Sequence, residues 1–464
     1  MANFVGIKSL QSVQSPTYST DQSNINLSPV VTYTIPWLKN SNFSSQESWE
    51  TQIEGDSRDA VAFIGEEQGN YQIIGNSGVF TIDDPLSDTD WTVFNNPELP
   101  MLPDIYEINS SGCYVYHEWH ENVDPTRNRP SIHWKRTITM PVNMTDYEIT
   151  AASLEVIFNA TVTVSPHDGG GIDRLGDGNL DDYSIGDYTE FYVLLSDVEQ
   201  SFEPIQAAYN NTAFGDLGQD TPAVSNFSDT PLNPVPENVL ISILTSVLGT
   251  DGYNFTITLG IDIYCEDNEY GVDIDRWNSL IIRSFNLTFS YEKKIDEFTS
   301  VSFYQQANSI TGNYTQIINA TLNFKYKIDQ AWPTILSPNS EMRVLINANQ
   351  HFETIELSSA TTSFQPAKLG GFNVTYLIQK EVNLSVSIQT LIANTFSLDR
   401  NITISIDDVY LIITYSSYVP PSMFFESSKQ TIIGYDYFIL LGVIGMITAI
   451  FMRKKLKDNK RINY

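Results

Sequence analysis

The feature that most restricts how this chain can fold is a recurrent alternation of apolar and polar residues over short stretches rich in Val, Ile, Thr, Tyr and Phe. It runs through residues 152–165 (ASLEVIFNATVTVS), 191–195 (FYVLL), 253–264 (YNFTITLGIDIY) and 403–415 (TISIDDVYLIITY). A period of two puts successive side chains on opposite faces of a strand, so each stretch offers one face to a core and the other to water. Gly and Pro separate the stretches, and there is no strand–helix–strand rhythm of the kind that builds a parallel sheet. The expectation is an all-β protein of tandem antiparallel β-sandwich, jelly-roll-like units, with one C-terminal transmembrane helix. With 464 residues and only two cysteines, the chain is long enough to close apolar cores without disulfide staples.

Charge adds an orientation. The chain carries 56 acidic against 25 basic residues, a net charge of −31. Such a surface is a poor match to phosphate backbones, which argues for no nucleic acid among its partners. Residues 453–464 run the other way: six basic residues against Asp458 give +5, leaving −36 for residues 1–452. Just ahead, residues 437–452 (YFILLGVIGMITAIFM) contain no charge. Extended back to 434, this predicts a membrane helix over 434–452, close to the roughly 20 residues that cross a hydrocarbon core of about 30 Å. The basic tail, 453–464, then lies in the cytoplasm and the bulk of the chain outside, a single-pass plasma-membrane protein. The first residues lack an apolar signal core, so either a signal peptide is missing from this sequence or the chain is tail-anchored with its bulk in the cytosol; the basic tail favours the first. Sequons precede the apolar segment and none follows it. Those at Asn143, Asn159, Asn254, Asn286, Asn313, Asn319, Asn373, Asn383 and Asn401 are candidate glycosylation sites.

Internal similarity suggests the domain plan. Residues 147–158 (YEITAASLEVIF) resemble residues 314–326 (YTQIINATLNFKY). Each is preceded by an aromatic-bearing strand, with Trp134 or Phe303, and followed by a Val-Leu strand, at Val193 and Leu194 or at Val344 and Leu345. Each set closes on a strand ending in Tyr, LTFSY at 287–291 and LIITY at 411–415. Two repeated units are predicted. The plan is a disordered segment 1–29, a larger sandwich 30–295 made of an N-terminal part 30–130 and a first repeat 131–295, a second sandwich 296–417, and a stalk 418–433.

Residues 38–43 (LKNSNF), Trp49, Asp56, Asp59 and the strand at 60–64 (AVAFI) resemble the opening of CenC-type carbohydrate-binding modules. Asp407, Asp408 and Val409 resemble that family's closing strand. On the plan above, the opening and closing halves fall in different units. The resemblance implies a jelly-roll architecture, a structural calcium near Asp407, and a glycan as ligand class. The layout as a whole resembles prokaryotic, archaeal-type, cell-surface glycoproteins.

Several residues are candidates for chemistry. The loop containing Asp173, Asp177, Asn179, Asp181 and Asp182 sets oxygen ligands at alternating positions among glycines, a composition that suits calcium; a solvated acidic loop is the plainer alternative. Asp177, Asn179 and Asp181 have EF-hand spacing, but neither the Gly nor the final Glu of that motif follows. Cys113 and Cys265 are even in number and invite a disulfide in an exported chain, with two buried thiols as the alternative. Trp119, Trp134 and Trp277 are candidate stacking platforms for a sugar, although sandwich tryptophans commonly belong to the core. His117, His120 and His133 lack the spacing of a helical zinc motif, and no nucleophile elbow, P-loop or dinucleotide fingerprint occurs. The reading is a non-catalytic binding or adhesion module for a glycan or a cell-surface protein ligand, calcium-stabilised. The alternatives are a structural cell-envelope component and a surface glycan hydrolase.

Overall fold

The computed structural model describes residues 30–418 except 46, 85, 87–89, 120–126, 165–186, 199–202, 216–223, 267–274 and 313–314. Among the described residues the alternating stretches are strands, and they pair antiparallel into four sheets that face each other in two sandwiches. In Leu384–Leu391 every second residue is buried, as the sequence LSVSIQTL requires of a strand with one wet face.

The first sandwich has one sheet ordered Ile105–Asn109, Gly112–Trp119, Asp275–Ile295, Tyr147–Val164 and Val224–Pro231, with Ser77–Asp84 also lying on Asp275–Ile295. Its facing sheet runs Thr92–Phe94, Ser131–Thr139, Asn254–Glu266, Asp187–Asp197, Ile205–Gly215 and Asn233–Pro234. The second sandwich pairs Ala60–Gly65, Gln68–Ile73, Ile402–Tyr418 and Gln316–Ile328 in one sheet, with Val30–Pro36 on Ile402–Tyr418. Its facing sheet holds Glu50–Glu54, Ser300–Ala307, Leu384–Leu391 and Glu341–Ile346.

This pairing corrects the domain plan. Chain order places residues 30–73 with the first sandwich, but they complete the second. Val30–Pro36 and Gln68–Ile73 flank Ile402–Tyr418, and Glu50–Glu54 flanks Ser300–Tyr304. Phe43, Trp49, Tyr71 and Ile73 share one core with Phe303, Leu322, Ile388 and Leu411. The first sandwich is therefore inserted within the second, between Ile73 and Ser300. Apolar burial chooses strand partners by face and not by distance along the chain, so neighbours in sequence need not share a core. The opening and closing motifs consequently meet in one sandwich, where the Val409 amide donates to the Ser41 carbonyl at 2.8 Å.

The internal similarity has a counterpart in the pairing. Leu154 faces Leu287 as Leu322 faces Leu411, and Ala152 faces Phe289 as Ala320 faces Ile413. In the facing sheets, Asn254–Glu266 lies between the Trp134 and Val193 strands, as Leu384–Leu391 lies between the Phe303 and Val344 strands. One strand couples the two bodies. Asp275–Ile295 spends most of its 21 residues in the first sandwich, but Lys293–Ile295 pair with Phe396–Leu398, and Ile295 is buried in the second core.

One helix, Glu237–Asp251, was not anticipated. Leu240, Ile243, Leu244, Val247 and Leu248 are its buried face, the spacing of an amphipathic helix, and Gly252 ends it at φ 79°. Segment 1–29, the stalk beyond 418, the expected membrane helix 434–452 and the basic tail lie outside the described residues. Among the described residues no helix is long and apolar enough to cross a membrane.

Candidate functional site

The outer face of the first sandwich's second sheet carries a groove of about 760 Å³, within the range of pockets that hold small ligands. Its floor follows from strand alternation. Ile132 and Trp134, Phe191 and Val193, and Leu259 and Ile261 point into the core, so their neighbours point out in three cross-strand rows. The first row is Ser131, Asp262 and Glu190, the second His133, Gly260 and Tyr192, and the third Lys135, Thr258 and Leu194. Tyr209 extends the second row opposite Tyr192. Asn96 to Leu99 and Glu203 to Pro204 wall the groove.

Gly260 makes the middle row possible. A Cβ at this position would overlap the Tyr192 ring, so the missing side chain lets that ring lie across the strand toward His133. The Tyr192 hydroxyl donates to Asp262 Oδ1 at 2.8 Å, and His133 Nε2 lies 2.6 Å from the same hydroxyl. Ser131 Oγ donates to Asp262 Oδ1, and Asn96 Nδ2 donates to Ser131 Oγ at 3.0 Å. Because the Tyr192 proton is committed to Asp262, the imidazole must be the Nε2–H donor, which leaves Nδ1 as an acceptor. A chain of five side chains thus fixes the direction of hydrogen bonding across the floor.

The electrostatics agree with that direction. Burial, with Lys135 adding to it, holds His133 down to about 4, so the ring is neutral at pH 7. Burial raises the Tyr192 phenol, with Asp262 reinforcing it. Burial also raises Asp262, against the lowering effect of its bonds from Ser131 and Tyr192. On the rim, Tyr209 donates to Glu190 Oε1 at 2.9 Å and Lys135 Nζ sits 3.6 Å above the Phe94 ring. Glu98, Glu190, Glu203 and Asp262 outnumber Arg129 and Lys135, so the groove offers an excess of hydrogen-bond acceptors to a ligand rich in hydroxyl donors.

Apart from His133, the residues singled out from sequence fall elsewhere. Trp134 and Trp277 are fully buried in the first core, which corrects their assignment as sugar platforms: alternation points Trp134 inward and its neighbour His133 into the groove. Trp119 is half-buried on the opposite sheet, packed against the same core. His117 is buried with Nδ1 3.0 Å from Asp104. Cys113 is buried on Gly112–Trp119, while Cys265 lies on Asn254–Glu266 in the facing sheet; the Cys265 side chain is outside the described residues, as are Asp173, Asp177, Asn179, Asp181, Asp182 and Asn313. Asn319, Asn373, Asn383 and Asn401 are exposed. Asn143, Asn159, Asn254 and Asn286 are half-buried and hydrogen-bonded to their surroundings.

Asp407 is half-buried and its Oδ1 accepts from the Asp408 amide at 2.7 Å, while Asp408 turns to φ 52° and pairs with Lys325 at 2.6 Å. Among the described residues the acids that do converge are Asp56, Asp59 and Asp296. Their charge is met by protein cations: Lys293 Nζ lies 2.5 Å from Asp59, and Arg58 holds Asp56. No signal in the sequence joined Lys293 to Asp59, and the groove was equally hidden there, since its polar residues look like ordinary exposed positions.

Fold and site together define an antiparallel double-sandwich protein with a polar groove on one open sheet. No family model and no curated protein matches this chain. Among solved structures, a candidate secreted protein from Parabacteroides distasonis aligns over 72% of this chain and 99% of its own, at 8% identity and TM-score 0.20. The infectious bursal disease virus Gx strain structure aligns over 89% and 72% at 9% identity and TM-score 0.15, and a Paenibacillus xanthan lyase over 84% and 37% at 9% identity and TM-score 0.13. Likeness at these scores carries no inference about fold or function.

Proposed function

We propose that this chain is a non-catalytic cell-surface binding protein whose first sandwich holds a glycan in the groove over Asp262, Tyr192 and Glu190. The observation that carries this reading is the pre-oriented network from His133 through Tyr192 to Asp262, bordered by acceptor-rich walls. Fixed acceptors and ring edges on a sheet face suit a ligand made of hydroxyl groups and C–H faces. The apolar segment 434–452 would anchor the chain with both sandwiches outside, in keeping with sequons confined to residues before it. Calcium would bind the acidic stretch 173–182, which precedes the strand bearing Glu190 in the sequence.

Isothermal titration of the full chain in mild detergent against a panel of neutral and acidic oligosaccharides tests the reading. Binding to at least one class is expected, and Glu190→Ala should weaken it about tenfold or more, the effect of losing a hydrogen bond to a charged group at about 1.5–3 kcal/mol. Absence of binding across the panel, or binding that Glu190→Ala leaves unchanged, would refute the groove. A melting temperature unmoved by EDTA would remove calcium from the proposal.

A further inference from the structure

We propose that Lys293 and Asp59 become covalently joined by an isopeptide bond between Lys293 Nζ and Asp59 Cγ, independently of what the groove binds. The two residues are 234 positions apart and meet where the two sandwiches join. Lys293 sits near the end of Asp275–Ile295, paired with Leu398, and Asp59 immediately precedes Ala60–Gly65. Their side chains are 7% and 0% exposed, with Nζ 2.5 Å from Oδ1. Adding a carboxyl C–O bond of about 1.25 Å puts Nζ at most about 3.8 Å from Cγ, close to the about 3–3.5 Å of a near-attack arrangement.

The carboxyl group is oriented for attack. Asp59 Oδ2 accepts from the Asp296 amide at 2.8 Å and from Thr299 Oγ1 at 3.4 Å, while Oδ1 faces the lysine. Oδ2 is therefore the oxygen that keeps its bond to carbon, and its two donors stabilise the charge it gains in the tetrahedral intermediate. Asp56 and Asp296 place carboxylate oxygens within 4.8 Å of Asp59. Asp56 is held as a carboxylate by three bonds from the Arg58 side chain, whereas Asp296, whose carboxylate pairs with Lys294 at 3.1 Å, is assigned as the proton carrier.

The step balances without an oxidant or reductant. Attack begins when one proton crosses within the pair from the Lys293 ammonium to Asp59 Oδ1, giving an amine and a carboxylic acid. The amine attacks Cγ, a second nitrogen proton passes through Asp296 to Oδ1, and the Cγ–Oδ1 bond breaks to release water. The product is a secondary amide in place of two charges. It closes a covalent loop from 59 to 293 that contains the whole first sandwich, so pulling on the anchored chain cannot separate the inserted body from its host.

The test is mass spectrometry of the full chain, made in bacteria without N-glycosylation, reduced and denatured. A mass about 18 Da below the sequence value is expected, the loss of one water, together with a proteolytic peptide pair linking residue 59 to residue 293. Lys293→Gln should restore the full mass and slow migration on a denaturing gel; Asp296→Asn should leave a mixture of linked and unlinked chains. Wild-type protein with its full sequence mass, and with the Lys293 amine acetylated after denaturation as readily as other lysines, overturns the proposal. The wild-type measurement decides alone, so a variant that fails to fold leaves the test intact.

Discussion

His133→Gln is the perturbation that reports most directly on the groove. The His133 residue is 6% exposed, and its burial, with Lys135 beside it, holds the pKa at about 4 against an ordinary 6.5. The unfolded chain takes up this proton more readily than the folded one. The stability that His133 contributes is therefore intact above pH 6.5 and is lost as the pH falls through about 4. At about 1.4 kcal/mol for each tenfold change in proton affinity, the full loss is about 3 kcal/mol, of which about 2 kcal/mol is gone by pH 5. Glutamine keeps an N–H for the Tyr192 hydroxyl and does not titrate. Asp262 has the opposite sign: its raised pKa gives a contribution that is present in acid and lost as the pH rises. That contribution cancels when wild type and variant are compared at each pH. Urea unfolding of the full chain, followed by tryptophan fluorescence from pH 7 to pH 4, should show the wild type losing about 3 kcal/mol relative to His133→Gln. Two stability curves that stay parallel over this range would refute the buried, neutral imidazole.

Two further substitutions probe the same sheet from either side. Gly260→Ala would drive a Cβ into the Tyr192 ring and should cost about 1–3 kcal/mol by overpacking; pairing it with Tyr192→Ser should recover part of that loss in thermal melts, and a wild-type melting temperature for Gly260→Ala alone would contradict the ring's position. Trp134→Ala, at a residue wholly inside the core, should destabilise by about 3–5 kcal/mol in denaturant titrations, whereas a small change in stability with a large loss of ligand affinity would return it to the surface.

The architecture was largely legible from alternation. Val156, Phe158 and Ala160 are buried on one face of Tyr147–Val164 as the pattern demands, and the LTFSY and LIITY strands pair with their resembling partners. The helix Glu237–Asp251 also left a signal, since residues 240, 243, 244, 247 and 248 are apolar at helical spacing. The groove left none. His133, the Glu190–Tyr192 pair and Asp262 are far apart in the chain, and their shared face depends on the register of three strands, in which a slip of one residue would turn every side chain over. Trp134 shows the same limit: sequence marks it as aromatic on a strand, but whether it or His133 faces water depends on which side the second sheet covers.

Local stretches of the chain carry the period-two strands, the Gly and Pro turns, and a charge pattern that separates a basic tail from an acidic remainder. Each of these is written in residues near one another, where backbone sterics and alternation act directly. The tertiary structure alone decided that residues 30–73 belong with 296–418, that one sandwich is inserted in the other, and that Lys293 reaches Asp59. Strands present nearly interchangeable edges, so the partner is selected by how well two distant apolar faces close one core, a choice that no local stretch of the chain contains.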